Sequence, residues 1–464
     1  MTKETELKLR LLPQHSAALA QFLNSRAAAR GYFTLKNWYL DTPAAGLAAA
    51  RSALRIRQKP EGYEQTLKTL GTSIAGLQQR GEWNWDLDSP QLDISCLSSE
   101  EIQQHWPADV DPAELAEVFT THFERSAWLW QSGDDSIEIV IDQGEIQAAD
   151  KTLPLCEVEL ELKSGDAAVL WQIAAELTQQ VPLWLSDVSK AERGYRLAGL
   201  SRPWHSQPQI NADMDMAEAL PQLLHYEFQQ FKRALEASLW DGRTEAANIL
   251  YSHWHGLRTL PTMAGKSLKR KQTKVLREGL EQFAQPLAKL EVLGQLQQYL
   301  QVAEVDVQAE LDEVQNQQQQ LTDAILNDLS LAQALLQSAA EFFHLPALPA
   351  SSENVQHWLR HGLQQHVDVV SVLHSERPQT AEQWRGLMTQ CQTLQQLLDY
   401  TRALPQAARG LRTGDGTLRV LGDMNAAQSL LKRPWTLSES EPLRCADEYS
   451  GWALEHLSQL ARQL

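Results

Sequence analysis

Cysteine is scarce: the 464 residues hold four, Cys96, Cys156, Cys391 and Cys445, far apart and without a CxxC pair. That excludes a disulfide scaffold and a thiolate zinc site, and it fits a reducing compartment. Long apolar runs are missing too. No stretch approaches the roughly 18 apolar residues of a membrane-spanning helix, and the start, Met1-Thr2-Lys3-Glu4-Thr5-Glu6, is charged where a secretory signal would be apolar. The expectation is a cytoplasmic protein with no membrane contact. Basic residues are in deficit, 41 Lys and Arg against 59 Asp and Glu, for a formal charge of −18. Such a surface repels nucleic acid and anionic membranes, so any polyanion must be met by a local basic site. Hydrophobic residues (43%) and charged residues (22%) are present in ordinary amounts, which excludes wholesale disorder. At about 150 residues per domain, the length implies two or three domains.

Two periodicities divide the chain. Up to about Leu200, apolar and polar residues alternate over short runs separated by Gly, Pro, Asp and Ser, the strand signature. From about Met214, apolar residues recur three and four apart, as in Leu220, Leu223, Leu224, Phe228 and Phe231, the helical period. Between them, the polar stretch from Ser201 carries Pro203 and Pro208 and reads as a linker. The expected architecture is α+β: a strand domain over residues 1–200, a linker over 201–216 and an all-helical domain over 217–464.

The strand domain offers eight alternating runs, Glu4 to Leu11, Leu35 to Asp41, Ala53 to Gln58, Tyr63 to Leu70, Arg80 to Leu87, His122 to Trp130, Ile137 to Asp142 and Cys156 to Lys163. Eight antiparallel strands suffice to close a barrel. Side chains two apart share a face, so Glu4, Glu6, Lys8 and Arg10 oppose Leu7, Leu9 and Leu11, and Glu157, Glu159, Glu161 and Lys163 oppose Val158, Leu160 and Leu162. Arg55 and Arg57 oppose Leu54 and Ile56, while Arg80, Glu82, Asn84 and Asp86 oppose Trp83, Trp85 and Leu87. A single such strand fits a sheet with one wet face. Segregation of sign between strands instead suggests a bipolar site, with charged faces pointing inward and apolar faces covered by the amphipathic segments Ala17 to Arg26 and Ala167 to Gln179.

If their strands are neighbours, Glu4, Glu6, Glu157 and Glu159 supply hard oxygen ligands that suit Mg²⁺ or Mn²⁺ better than zinc. Facing Arg55, Arg57, Lys68, Arg80 and Arg125, they fit a linear chain of phosphates bridged to metal at one end. The chemistry this pattern supports is hydrolysis of a triphosphate.

Glu4-Thr5-Glu6-Leu7-Lys8 is similar to the ExExK motif that opens the CYTH domain of the triphosphate tunnel metalloenzymes, a group that includes class IV adenylyl cyclases, thiamine triphosphatases and inorganic triphosphatases. The resemblance continues, in the family's order, through Tyr39-Leu40-Asp41-Thr42, Leu54-Arg55-Ile56-Arg57, Thr66-Leu67-Lys68, Glu124-Arg125, Cys156-Glu157-Val158-Glu159-Leu160-Glu161 and Ser189-Lys190. It implies an eight-stranded antiparallel tunnel in which Glu4, Glu6, Glu157 and Glu159 hold metal. Lys8, Arg55, Arg57, Lys68, Arg125 and Lys190 would then bind phosphate. Glu161 shares the face of Glu157 and Glu159, so which two of the three reach the metal stays open. Asp142 and Glu82 are candidates for further ligation or for positioning water. The implied activity is metal-dependent cleavage of inorganic tripolyphosphate to pyrophosphate and phosphate. The alternatives are a nucleoside or thiamine triphosphatase, a class IV adenylyl cyclase, or a non-catalytic polyphosphate-binding adaptor.

The helical half resembles the CHAD domain, a helical partner of CYTH domains associated with polyphosphate. The resemblance rests on His255-Gly256-Leu257-Arg258 and His357-Trp358-Leu359-Arg360. It implies polyphosphate binding by this half, although the dense basic runs that follow such motifs are absent. The most basic stretch, Lys266, Lys269, Arg270, Lys271, Lys274 and Arg277, reads as a solvated face.

Overall fold

The computed structural model describes residues 2–408 apart from residues 70, 75, 201–206, 244–245, 266–267, 269–270, 272, 302–307, 345–347, 349–350 and 376–380, and beyond these residues 436–438 and 441–442. Lys266, Lys269 and Arg270 of the basic stretch, and the first six linker residues, lie outside the described residues. The described residues of Met1–His205 and Asp328–Ala340 form one compact unit, and those of Ser206–Asn327 and Glu341–Leu464 form a second.

The first unit contains ten strands: β1 (Thr2–Leu11), β2 (Ala28–Asp41), β3 (Ala53–Lys59), β4 (Gly62–Lys68), β5 (Thr72–Ile74), β6 (Leu77–Leu87), β7 (Ala116–Ser132), β8 (Asp135–Ala148), β9 (Lys151–Ser164) and β10 (Leu183–Ser186). They are ordered β10-β1-β9-β8-β7-β2-β3-β4-β6-β5, and β1 also pairs with β6 from Thr2↔Glu82 to Leu7↔Leu77. That second pairing closes eight antiparallel strands into the expected barrel. The far half of β1, Lys8 to Leu11, pairs with β10 instead. Both additional strands escape the alternation rule. The four residues of β10 are buried on both faces, and β5 has only three residues in which to show a period.

The alternation places charge inside and hydrocarbon outside. Helices α1 (Ser16–Arg26), α2 (Gly46–Ala49), α3 (Glu100–Gln103), α4 (Ala168–Thr178) and α5 (Lys190–Leu197) accompany the strands. α4 packs on β9 and α1 on β7, where Trp128 Nε1 donates to Asn24 at 2.8 Å. On the far side Leu54, Ile56, Leu67 and Trp83 are buried under Leu97, Ile102, Trp106 and Val110. Each fully buried Leu or Ile contributes about 1.5–3 kcal/mol, so the outer shell stabilises a barrel whose interior is polar. Asp41 anchors the shell locally. Its carboxylate accepts backbone N–H bonds from Thr42, Leu47 and Ala48 at 2.7–2.9 Å, fixing the start of α2.

Ser189 caps α5, its hydroxyl accepting from Glu192 N at 3.0 Å. The cap sets the phase of the helix, so that Lys190, Arg193 and Gly194 share the face turned to β7, β8 and β9. Gly194 is required there, because a Cβ would lie 2.1 Å from the Phe119 ring.

The described residues of the second half are helical in α6 (Met216–Leu239), α7 (Ala246–Met263), α8 (Lys274–Gln282), α9 (Ala284–Gln301), α10 (Gln308–Leu326), α11 (Leu329–Phe343), α12 (Val355–Ser375) and α13 (Ala381–Tyr400). They are not wholly helical as expected, since Thr436–Ser438 and Glu441–Pro442 pair as two short antiparallel strands. A capping box between Asp215 and Glu218 starts α6. Most of α11, from Leu329 to Ala340, belongs with the barrel unit, and Gln333 donates to the Thr178 carbonyl at the end of α4. No helix among the described residues is long and apolar enough to cross a membrane.

Candidate active site

Cross-strand register assembles the inward charges. Lys8 stands opposite Glu159, Arg10 opposite Glu157, Asp142 opposite Glu157 and Arg125 opposite Asp142. Asp142, Glu157 and Glu159 each place one carboxylate oxygen within 4.8 Å of the others. Asp142 and Glu157 are wholly buried. Three carboxylates this close require cations, and these are present. Arg125 forks onto Asp142 with two bonds of 2.7 Å and reaches Glu159 at 3.0 Å. Lys8 contacts Glu159 at 2.8 Å. Lys190 contacts Asp142 at 2.7 Å, Glu159 at 3.0 Å and also Glu157. Arg193, fully buried, pairs with the other oxygen of Glu157. Burial raises the Glu159 pKa, but Lys190, Lys8 and Arg125 outweigh it and hold the carboxyl well below the usual range. Asp142 is likewise lowered by Arg125 and Lys190 against burial.

Glu4 and Glu6 lie beyond this trio. Glu4 meets Lys68 at 2.9 Å and Arg80 at 3.2 Å, while Glu6 pairs with Arg80 and lies 3.7 Å from Lys8. Glu82 bonds Lys68 at 2.9 Å and accepts from Asn84 Nδ2 at 3.0 Å. Burial opposes its ionisation, yet Lys68 and Arg55 bring its pKa down to about 2. Glu161 is half-buried and pairs with Lys163 at 2.8 Å, and burial raises its pKa. The structure therefore does not bring Glu161 into the group formed by Glu157 and Glu159.

Arg55 and Arg57 differ from the other cations. Neither forms an ion pair among the described residues; Arg57 Nε donates to Asn37 at 2.7 Å, and Arg55 Nε is buried without a hydrogen-bond partner. Burial, and repulsion from Arg55 and Arg125, push the Arg57 pKa down to about 9, so the group is still cationic at neutral pH but at a cost. Tyr39, opposite Arg55 in the sheet, has its pKa lowered by Arg55, Lys190 and Arg57 despite its burial. The arrangement is thus an acid cluster with counter-ions beside two guanidiniums outside any ion pair of the described residues, Arg55 bonded to Tyr39 in the field of Glu82 and Arg57 bonded to Asn37. It can hold an extended anion carrying metal at one end.

Sequence reasoning missed Arg193, Asn37 and Tyr39 as site residues. Arg193 had a signal, its i,i+3 spacing from Lys190 in a helix opened by Ser189. Asn37 is legible only from the register, which sets it opposite Arg57. In the helical half, Arg258 stacks on Trp254 and pairs with Glu281 at 2.6 Å, and Arg360 donates to the Gln406 carbonyl. The arginines of both HxxR tetrapeptides are thus engaged within the protein.

Residues 2–195 match the family model of the CYTH domain. An inorganic triphosphatase of Haemophilus influenzae is 34% identical over 199 residues, 42% of this chain and 55% of the relative, so the match spans about half the length of that protein. Among solved structures, HpAC1 of Hippeastrum, for which a dominant triphosphatase activity is described, is 21% identical over 43% of this chain and 98% of that one, at a TM-score of 0.34. The PH1819 protein of Pyrococcus horikoshii is 16% identical over 38% of this chain and 86% of its own, at a TM-score of 0.26. Residues 2–195 of this chain are a CYTH domain.

Proposed function

We propose that the barrel hydrolyses inorganic tripolyphosphate to pyrophosphate and phosphate with the help of Mg²⁺ or Mn²⁺. The observation that carries this reading is the pair Arg55 and Arg57, half-buried and in no ion pair among the described residues, beside the Asp142, Glu157 and Glu159 trio. The trio fits a hard divalent ion by its chemistry, since all its donors are carboxylate oxygens. Glu157, Glu159 and Asp142, with Glu4 and Glu6 on the adjoining strand, would hold it. When bound, such an ion polarises a phosphoryl oxygen and lowers the pKa of water.

The protein's own groups do the rest. Arg55 and Arg57 bind the oxygens of the chain and offset charge on the leaving pyrophosphate, and Lys8, Lys68, Arg80, Arg125 and Lys190 hold its other oxygens. Glu82, kept ionised by Lys68 and braced by Asn84, orients the attacking water through a carboxylate that accepts its proton's hydrogen bond. The likeness to the Haemophilus influenzae inorganic triphosphatase supports this substrate over a nucleotide.

The test is phosphate release from tripolyphosphate, ATP and thiamine triphosphate with Mg²⁺ or Mn²⁺, beside a chelator and a Glu4→Gln control. Turnover of tripolyphosphate that fails in both controls is expected. Faster turnover of ATP or thiamine triphosphate would replace the substrate. Binding of tripolyphosphate without turnover would make the barrel an adaptor.

A further inference from the structure

Within the acid trio the cations occupy two kinds of place. Arg193 holds one oxygen of Glu157 from outside the cluster. Arg125 engages both oxygens of Asp142 and Oε2 of Glu159. These are planar, pre-organised groups. Lys190 Nζ is different: it contacts Asp142 Oδ2, Glu157 Oε1 and Glu159 Oε1, one oxygen from each acid, whereas the other ammonium, Lys8 Nζ, meets Glu159 Oε1 at 2.8 Å and lies 3.8 Å from Glu157 Oε1. An ammonium has three donors, and in Lys190 all three are spent on the cluster a divalent ion would need. It is also a compact charge on a flexible stem, lying 5.2 Å from the centroid of the Phe123 ring. Its charge is felt at Tyr39, beside Arg55, so the phosphate end is within its field.

We propose that Lys190 is the exchangeable counter-ion of Asp142, Glu157 and Glu159: its ammonium keeps the three carboxylates together until a divalent ion takes them, and then turns to the phosphate chain. This rests on the metal-dependent reading above. The guanidiniums of Arg125 and Arg193 hold the frame of the cluster, so the carboxylates stay in place when the ammonium leaves. Two consequences follow. Metal binds the substrate-free protein against competition from Lys190, and bound polyphosphate relieves that competition by giving the ammonium another partner. Metal and substrate therefore strengthen each other's binding, by the reciprocity that any coupling free energy obeys.

The test measures Mn²⁺ binding to the full chain without substrate, from the electron paramagnetic resonance signal of free Mn²⁺, in the wild type, Lys190→Met and Arg193→Met. Lys190→Met should bind Mn²⁺ roughly tenfold more tightly and show a raised KM for tripolyphosphate, whereas Arg193→Met should bind Mn²⁺ more weakly. An affinity in Lys190→Met equal to or below that of a wild type that binds Mn²⁺ and hydrolyses tripolyphosphate would overturn the exchange and leave the function standing. A wild type that binds no Mn²⁺ would overturn both. If Lys190→Met folds only with metal, its melting temperature against Mn²⁺ reports the same affinity by linkage. A steeper rise than in the wild type supports the exchange, and a shallower one refutes it.

Discussion

Arg125 and Asp142 face each other across β7 and β8, and the guanidinium closes on the carboxylate with two contacts of 2.7 Å. The same guanidinium reaches Glu159 at 3.0 Å, so one side chain ties together two of the three clustered acids. Removing one partner of a buried pair leaves the other uncompensated and costs about 3–5 kcal/mol. Arg125→Met should therefore lower stability by about that amount, and Asp142→Asn should do so as well, because it leaves the Arg125 guanidinium and the Lys190 ammonium without the carboxylate they share. The kcat/KM of Arg125→Met for tripolyphosphate should fall on the order of 100-fold or more, as expected for loss of a charge-assisted phosphate contact. Urea unfolding and steady-state kinetics on both variants check this.

Acid should weaken the barrel through the same network. The folded pKa of Glu82 is depressed from 4.5 to about 2. Its stabilising contribution is thus fully present above pH 4.5 and is lost as pH falls toward 2. Asp142 and Glu159 are lowered as well, so they act with the same sign. Stability should fall across that window, and Glu82→Gln should flatten part of the decline while being less stable than the wild type at neutral pH. Urea midpoints measured at neutral pH and in steps from 4.5 downward give the comparison.

Arg57 should show the opposite balance of stability and function. Its half-buried guanidinium lies near Arg55 and Arg125, among the described residues it donates to the Asn37 amide oxygen alone, and its pKa is pushed down to about 9. Held protonated at neutral pH, it destabilises the free protein and is relieved by an anion. Arg57→Gln is expected to raise the melting temperature without ligand, yet to lose about 2–3 kcal/mol of transition-state stabilisation in kcat/KM. A lower melting temperature with unchanged kinetics would remove Arg57 from the site.

The sequence showed the eight barrel strands because apolar and polar residues alternate along them, and it showed the inward face most plainly in β1, β3, β6 and β9, where one face is charged and the other apolar. Leu183–Ser186 has no such contrast, with Leu, Trp, Leu and Ser all buried, and it was invisible for that reason. Inward side chains were legible when charged and illegible when neutral. Asn37, Thr66 and Asn84 look like ordinary strand residues until the register puts Asn37 beside Arg57 and joins Thr66 to Asn84 at 2.8 Å. Glu161 shows the converse limit, since its parity equals that of Glu157 and Glu159 but its position along the strand leaves it with Lys163. Parity fixes the face of a strand, and only the closed sheet fixes the depth.

The seat of α5 depends on a missing side chain. At Gly194 a Cβ would lie 2.1 Å from Cε2 of Phe119, and Phe119 cannot swing aside freely because it stacks on Tyr39 with centroids 4.5 Å apart. Gly194→Ala must therefore lift the helix, and with it Lys190 and Arg193, one turn and one residue earlier on the same element. Overpacking of this kind costs about 1–3 kcal/mol, set against a gain of up to about 1 kcal/mol from helix propensity. The larger expected effect is on the site: a fall in kcat/KM well beyond the stability change, as the counter-ions of Glu157 leave register. Gly362→Ala in α12 is the control, because its Cβ would meet Leu397 at an ordinary 3.4 Å. That variant should keep wild-type kinetics and match or exceed the wild-type melting temperature. Equal effects of the two substitutions on kcat/KM would show that α5 does not position the site.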